Sequence, residues 1–251
     1  AASDVYKRQP LSITGASNYS LIPSQRSAIL LLNRSILSSV AKVSGGEGIR
    51  IKPVGMHTKA EWTIQMSAIY SSLTRSNLTT AYLSNGTGGA FYTRISSTAG
   101  IQVKNGRDGD DTWTQIPLQA GKWLHITYVH KDKKTTVYVN GKVQKVFENS
   151  AITFGENSMI VVGNSGYRND YLREIRLWDK ALTESEINDY LYLPMDPATP
   201  HLISYLPLSK EMETKDLKAP AGTENVTTKA RIEYVENVKF PADELVIVNQ
   251  E

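Results

Sequence analysis

The stretch at residues 121–143, GKWLHITYVHKDKKTTVYVNGKV, constrains the fold more than any other part of the chain. Residues 123–130 alternate and are rich in β-branched and aromatic side chains, which predicts a strand. A charged turn at residues 132–134 leads into a second strand. Asn140 and Gly141 then supply the positive φ angles that a two-residue hairpin of type I′ requires. The stretch therefore predicts three short antiparallel strands joined by two tight turns.

Short strand-like segments recur along the rest of the chain at roughly ten-residue spacing, which is typical of all-β proteins. Residues 61–70 alternate most regularly and predict a core strand with Trp62 facing inward. Residues 27–40 fit a helix or two short strands equally well. Further strands are predicted at residues 48–53, 81–83, 91–95, 101–103, 159–162, 171–178, 201–206, 231–235 and 245–248.

One helix is predicted, at residues 184–192. Thr183 and Glu186 have the spacing of a capping box, in which each side chain accepts a hydrogen bond from the other residue's backbone N–H. Pro194 ends the helix. Many short strands with one short helix predict an all-β fold, a two-sheet antiparallel sandwich rather than a parallel α/β fold.

Composition narrows the function classes. The 251 residues contain no cysteine, which excludes disulfides, thiolate metal sites and a cysteine nucleophile. The net charge is +3 and the Lys and Arg residues are scattered, whereas a nucleic-acid-binding protein usually clusters them on one face. No apolar run is long enough for a transmembrane span, and the first ten residues lack the apolar core of a signal peptide.

Three segments together carry a resemblance. Residues 62–68 form an alternating strand with an inward tryptophan, and residues 121–141 place a Trp strand before a strand that ends in Asn-Gly. Residues 171–187 read YLREIRLWDKALTESEI. Together they resemble the laminin-G-like branch of the concanavalin A-like lectin/glucanase superfamily, and residues 201–208 resemble its closing strand.

The resemblance implies a concanavalin A-like jelly-roll sandwich at residues 45–210. Residues 1–44 would be a lead-in or the end of a preceding domain, and residues 211–251 an extension that closes the sheets or projects from them. Similar domains occur in cell-surface glycan-binding proteins of Gram-negative gut bacteria, which implies export, and either a lipid-anchored parent protein or partner domains. Arg173 stands where the family often carries an acidic residue, before the position of Glu174, and this puts an inherited metal site in doubt.

No catalytic site is expected. Glycosidases of this superfamily carry a Glu-x-Asp-x-x-Glu strand, and a retaining pair of carboxylates lies about 5–5.5 Å apart. Asp170 and Glu174 are four residues apart, which along a strand is about 13 Å. His125 and His130 are five residues apart in one strand, so their side chains should face opposite sides and share no metal.

Candidate ligand-binding residues lie in three loops. Sugar recognition combines an aromatic platform with amide and carboxylate groups, and Trp113 beside the NGRDGDD turn fits that pattern. A sheet-edge role for Trp113 and a solvated turn at residues 164–170 are the structural alternatives. The candidates are Trp113 with Asp110 and Asp111, Tyr167 with Asn164, Arg168 and Asp170, and Tyr92 beside the loop at residues 84–89.

Asp108 and Asp110 could contribute oxygen ligands to a calcium ion, the one cofactor that the sequence suggests. Turn chemistry alone also explains Asp and Gly at these positions. The predicted function is a non-catalytic carbohydrate-binding module that captures a glycan or polysaccharide. The alternatives are a protein-interaction or structural sandwich domain and, third, a divergent glycoside hydrolase.

Overall fold

A computed structural model describes residues 11–14, 39–45, 48–73, 79–84, 91–105, 113–148, 152, 154–162, 168–191, 194–236, 238 and 246–249. Within these residues there are sixteen strands, one α-helix and a single 3₁₀ turn at Met56–Thr58. The helix, α1, spans Glu184–Asp189. The strands are β1 (Leu11–Thr14), β2 (Ser39–Ser44), β3 (Ile49–Ile51), β4 (Trp62–Ile69), β5 (Thr79–Ser84), β6 (Phe91–Ser96), β7 (Gly100–Asn105), β8 (Trp123–Lys131), β9 (Lys134–Val139), β10 (Lys142–Phe147), β11 (Met159–Val162), β12 (Arg168–Trp178), β13 (Leu202–Leu206), β14 (Val226–Thr228), β15 (Arg231–Glu236) and β16 (Val246–Asn249).

Two antiparallel sheets form the sandwich. The larger, eight-stranded sheet has the order β10-β9-β8-β4-β12-β2-β15, and β13 pairs with β12 beside it. The six-stranded sheet has the order β14-β3-β11-β5-β6-β7, and β1 pairs separately with β16. The predicted all-β, two-sheet fold with one short helix is confirmed.

One hydrophobic core lies between the two sheets. Trp62, Ile64 and Met66 of β4 belong to the same buried cluster as Ile101 of β7 and Ile160 of β11. Alternation along β4 places these three side chains inward and Thr63, Gln65 and Ser67 on the outer face of the larger sheet. The prediction that Trp62 faces the core is confirmed, since its side chain is fully buried.

The two tight turns of the central hairpins are confirmed. Asn140 and Gly141 have φ angles of 51° and 75°, as a type I′ turn requires. Asp132 and Lys133 also have positive φ angles, of 50° and 61°. The side chain of Asn140 accepts a hydrogen bond from the backbone N–H of His125 at 2.8 Å, which ties this turn to β8.

The sequence predicts Trp123 as a second core tryptophan, but the structure places it outside the core. Leu124, Ile126 and Tyr128 of β8 are the residues that belong to the inner cluster. The residues between them, and Trp123 before them, therefore project from the outer face of the larger sheet. Trp123 is half-buried there.

A β-bulge in β12 changes the alternation that its sequence predicts. Arg173 pairs with Ser67, but Gln65 pairs with Arg176, so β12 contains one extra residue at this point. Glu174 takes up the irregularity with a φ angle of 58°. As a result Leu172 points inward together with Ile175 and Leu177, whereas the plain alternation placed Leu172 on the opposite face.

Helix α1 covers part of the outer face of the larger sheet. The capping box is confirmed: Thr183 Oγ1 accepts from the backbone N–H of Glu186, and the Glu186 carboxylate accepts from that of Thr183. The helix ends at Asp189, three residues before the predicted end, and Tyr190 is its C-cap. Below it a second apolar cluster contains Val129, Tyr138, Trp178, Leu182, Ile187, Met195, Leu202 and Tyr205.

Strands outside residues 45–210 also pair within the two sheets. The strand β2 precedes residue 45 and pairs with β12 and β15. The strands β14 and β15 follow residue 210, and they pair with β3 and β2 respectively. The division of the chain into three segments stays a prediction. Residues 27–38, where a helix or two strands were predicted, lie outside the described residues.

Candidate functional site

Asp170 joins the start of β12 to the end of β4. Its Oδ1 accepts hydrogen bonds from the backbone N–H and from the hydroxyl of Ser71, at 2.7 and 2.9 Å. The Asp170 side chain is buried, with 1% of its surface exposed. In this conformation it therefore positions the chain on either side of it, and a ligand could reach it only after a rearrangement.

Trp113 lies against the edge of the six-stranded sheet. It forms an antiparallel bridge with Gln102 of β7, and its carbonyl accepts a hydrogen bond from Lys145 Nζ of β10 at 2.8 Å. Only 6% of its surface is exposed, so in this conformation a ligand could contact little of the residue. Its role as a stacking platform stays a prediction.

The remaining candidates are described in part or lie outside the described residues. The backbone of Arg168 begins β12, and that of Tyr92 lies in β6, where it pairs with Tyr82 and Lys104. Their ligand-binding roles stay predictions. The candidates outside the described residues are Asp108, Asp110, Asp111, Asn164 and Tyr167.

The described candidates fall into two groups on different sheets. Trp113 bridges β7, and Tyr92 lies in the neighbouring strand β6 of the six-stranded sheet. Arg168 and Asp170 both belong to β12, inside the eight-stranded sheet. The sequence predicted candidates in three loops, and the structure assigns their described members to two different sheets.

The acidic residue of the β12 bulge is held in a buried ion pair. Glu174 Oε2 accepts from Arg176 Nη2 at 2.6 Å, and the side chains are 1% and 0% exposed. The hydroxyl of Tyr205 donates to the same carboxylate at 3.0 and 3.1 Å. Burial, followed by the negative charge of Glu174, raises the pKa of Tyr205 well above its usual value, so this phenol keeps its proton. Arg176 and Tyr205 therefore both hold the Glu174 carboxylate within the fold.

His125 and His130 face opposite sides of the larger sheet, as predicted. His125 lies on the outer face within 2.8 Å of the Ser67 hydroxyl, whereas the ring of His130 stacks on Trp62 at 5.0 Å. Burial and the charge of Arg176 lower the pKa of His125 to about 3, so its imidazole is neutral at physiological pH. Among the residues that the structure describes, no group of three or more His, Cys, Asp or Glu side chains could hold a metal ion.

A row of partly exposed side chains crosses the outer face of the larger sheet and was missed by the sequence reasoning. Its members are direct cross-strand neighbours, and we call them the outer row. The pairings run from Trp123 to Ile69, from Ile69 to Tyr171, from Tyr171 to Lys42 and from Lys42 to Glu233.

The outer row carries two aromatic rings and one ion pair. Trp123, Ile69 and Tyr171 are half-buried. Lys42 Nζ lies 3.7 Å from a carboxylate oxygen of Glu233, and the two side chains are 29% and 66% exposed. The strict alternation of β8 could have placed Trp123 outward, but the register that aligns it with Tyr171 is not visible in either segment alone.

The next row along the same face is buried. His125, Ser67 and Arg173 are cross-strand neighbours two residues beyond Trp123, Ile69 and Tyr171. Each of the three side chains has at most 1% of its surface exposed. On β8, β4 and β12, exposure therefore stops directly behind the outer row, and the part of the face further along lies under α1.

The chain was compared with protein families and solved structures. The family model of the concanavalin A-like lectin/glucanases superfamily matches residues 44–188, more than half of the 251 residues. A comparison with curated proteins gives no match. No helix in the described part of the chain is long and apolar enough to cross a membrane.

Solved structures of low sequence identity match the chain to different extents. A proposed carbohydrate-binding protein from Bacteroides ovatus superposes with a TM-score of 0.56 at 18% identity, over 85% of this chain and 60% of that one. Domain 4 of AbnA, an extracellular arabinanase of Geobacillus stearothermophilus solved with arabinotriose, gives 0.49 at 19% identity over 60% and 75% of the two chains. A heptameric pentraxin from Limulus polyphemus gives 0.48 at 13% identity over 84% and 95%. The chain thus spans about 60% of the length of the Bacteroides protein.

Proposed function

Because the chain belongs to the concanavalin A-like lectin/glucanases superfamily, we propose that it is a non-catalytic carbohydrate-binding module of an exported cell-surface protein. Membership of this superfamily over residues 44–188 is the observation that carries the proposal. The Bacteroides ovatus structure, which shares the fold, is itself a proposed carbohydrate-binding protein and supports the same class of ligand. A lipid-anchored parent protein or partner domains would place such a module at the cell surface.

The acidic side chains of β12 support the non-catalytic part of the proposal. The two acidic side chains of β12, Asp170 near its start and Glu174 at its bulge, are buried and engaged by Ser71, Arg176 and Tyr205. A retaining glycosidase needs two carboxylates about 5–5.5 Å apart facing the substrate, and an inverting enzyme needs them about 6.5–9.5 Å apart. Carboxylates held in this way, Glu174 by the buried Arg176 and Tyr205 and Asp170 by Ser71, serve the fold instead.

The segment at residues 164–170, predicted as a loop, is the region we assign to ligand contact. Its last residues begin β12 and include the predicted contacts Arg168 and Asp170. The hydrogen bonds between Asp170 and Ser71 fix the start of β12 against the end of β4. We propose that Tyr167, Asn164 and Arg168 contact the glycan while Asp170 positions them.

The first experiment screens the full chain on a glycan array and measures each hit by calorimetry. Tyr167→Ala should weaken binding about tenfold if its ring is a contact. Trp113→Ala needs a parallel measurement of thermal unfolding, because loss of a buried tryptophan can act through stability alone. Binding by no glycan would refute the proposal and favour a protein-interaction domain. Release of reducing ends from a polysaccharide by the purified chain would refute its non-catalytic part.

A further inference from the structure

We propose that the outer row binds a neutral oligosaccharide that lies across the strands of the larger sheet. In this arrangement Trp123 and Tyr171 stack on the apolar faces of two sugar rings, and Lys42 and Glu233 bond to hydroxyl groups. The proposal rests on the proposed function and gives that function a second, defined contact surface. It is carried by the cross-strand register and by the exposure of the five side chains.

The spacing of the two rings favours a chain of sugars over a single one. Trp123 and Tyr171 both pair with Ile69, from opposite sides. Neighbouring strands are about 4.8 Å apart, so the two aromatic side chains start about 10 Å from each other. A single sugar ring cannot lie on both. An oligosaccharide perpendicular to the strands can, with Ile69 as the apolar surface between the two stacking positions.

The ion pair supplies the polar part of the surface. Lys42 and Glu233 are 29% and 66% exposed, and a separation of 3.7 Å leaves donors and acceptors of both groups open to other partners. Sugar hydroxyl groups both donate and accept, so they match an ammonium beside a carboxylate. Because the two charges cancel, the row has no net charge with which to attract an anionic sugar. This balance is the reason for proposing a neutral ligand.

The location of the row agrees with such a ligand. The buried side chains of His125, Ser67 and Arg173 fill the face directly behind it, so the platform is one row deep. Tyr171 lies three residues after Arg168, which begins β12, so the outer row crosses β12 about 10 Å from its start.

An exposed ion pair contributes little to folding, about 0–1 kcal/mol, which makes it a clean position for a test. Titration calorimetry with the full chain would use neutral xylo-, manno-, arabino- and cello-oligosaccharides, with oligogalacturonate as an anionic probe. Trp123→Ala and Tyr171→Ala should each weaken neutral binding about tenfold or more, and Glu233→Ala about threefold to tenfold. The matched control is Tyr190→Ala, which removes a half-buried tyrosine at the C-cap of α1, where its ring stacks on Trp178 of the same face.

The outcomes distinguish failure of the outer-row site from failure of the proposed carbohydrate-binding function. Loss of neutral binding in the Trp123 and Tyr171 variants, with Tyr190→Ala unaffected, supports the site. If a glycan binds and these variants bind it equally well, the site is wrong and the proposed function stands. Binding of oligogalacturonate alone overturns the neutral class. If no glycan binds, both proposals fail. Glu233→Ala, at a side chain two-thirds exposed, keeps the site testable should either aromatic variant unfold.

Discussion

Replacement of Glu174 by glutamine should destabilise the protein strongly. The substitution keeps the shape of the side chain but removes its charge, and it leaves the Arg176 guanidinium buried beside a neutral group. Removing one partner of a buried ion pair costs about 3–5 kcal/mol, because the remaining charge stays desolvated. For a domain of this size that corresponds to a fall in the melting temperature of about 6–20 °C.

The assay is thermal and urea-induced unfolding followed by circular dichroism, with an exposed ion pair as the matched control. Glu236 lies 3.1 Å from Lys210 Nζ, and the two side chains are 58% and 63% exposed. Glu236→Gln makes the same chemical change and should alter stability by less than about 1 kcal/mol. If Glu174→Gln proves no more destabilising than Glu236→Gln, the ion pair is not the support for the β12 bulge that we infer.

Two further predictions concern pH and a turn. The pKa of His125 is about 3 in the folded protein, against 6.5 for an unperturbed histidine. As the pH falls, the unfolded chain therefore binds a proton at this residue before the folded protein does. Stability should therefore fall between pH 6.5 and 3, by about 2 kcal/mol at pH 5. Urea unfolding at pH 7 and pH 5 measures this, and an undiminished pH dependence in His125→Gln would contradict it. Gly141 and Gly121 both have positive φ angles, but only at position 141 would an added Cβ clash, with the side chain of Asn188. Gly141→Ala should therefore lower the free energy of unfolding by about 1 kcal/mol more than Gly121→Ala in the same assay. Equal losses would show that Asn188 moves aside freely.

Features set by neighbouring residues were predictable from the sequence. The capping box needs only Thr183 and Glu186 at a fixed spacing, and the hairpin turn needs only Asn140 and Gly141. The alternation of β4 identified Trp62 as a core residue because side chains at every second position of a strand face the same side of its sheet. Local chemistry therefore predicted most elements and the class of fold.

Features set by pairing between distant strands were not predictable. The bulge at Glu174 exists because β12 contains one residue more than β4 at that point, and neither sequence shows the mismatch alone. The outer row depends on a register that aligns Trp123 with Tyr171 across β4. The burial of Trp113 likewise depends on β7 and on Lys145 of β10. The position of Trp113 in a predicted loop next to polar residues indicated an exposed side chain, whereas its packing in the folded protein buries it.

The strands β14 and β15 have a consequence for how the protein resists aggregation. They are consecutive in the chain, yet one caps the six-stranded sheet at β3 and the other caps the eight-stranded sheet at β2. Without them, the backbone N–H and C=O groups along the outer edges of β3 and β2 would be unpaired. Each edge could then pair with a strand of another chain and start aggregation. With them in place, the border beyond β2 carries the exposed charges of Arg231, Glu233 and Glu236, which repel an incoming strand. The eleven residues 226–236 thus cover one edge of each of the two sheets.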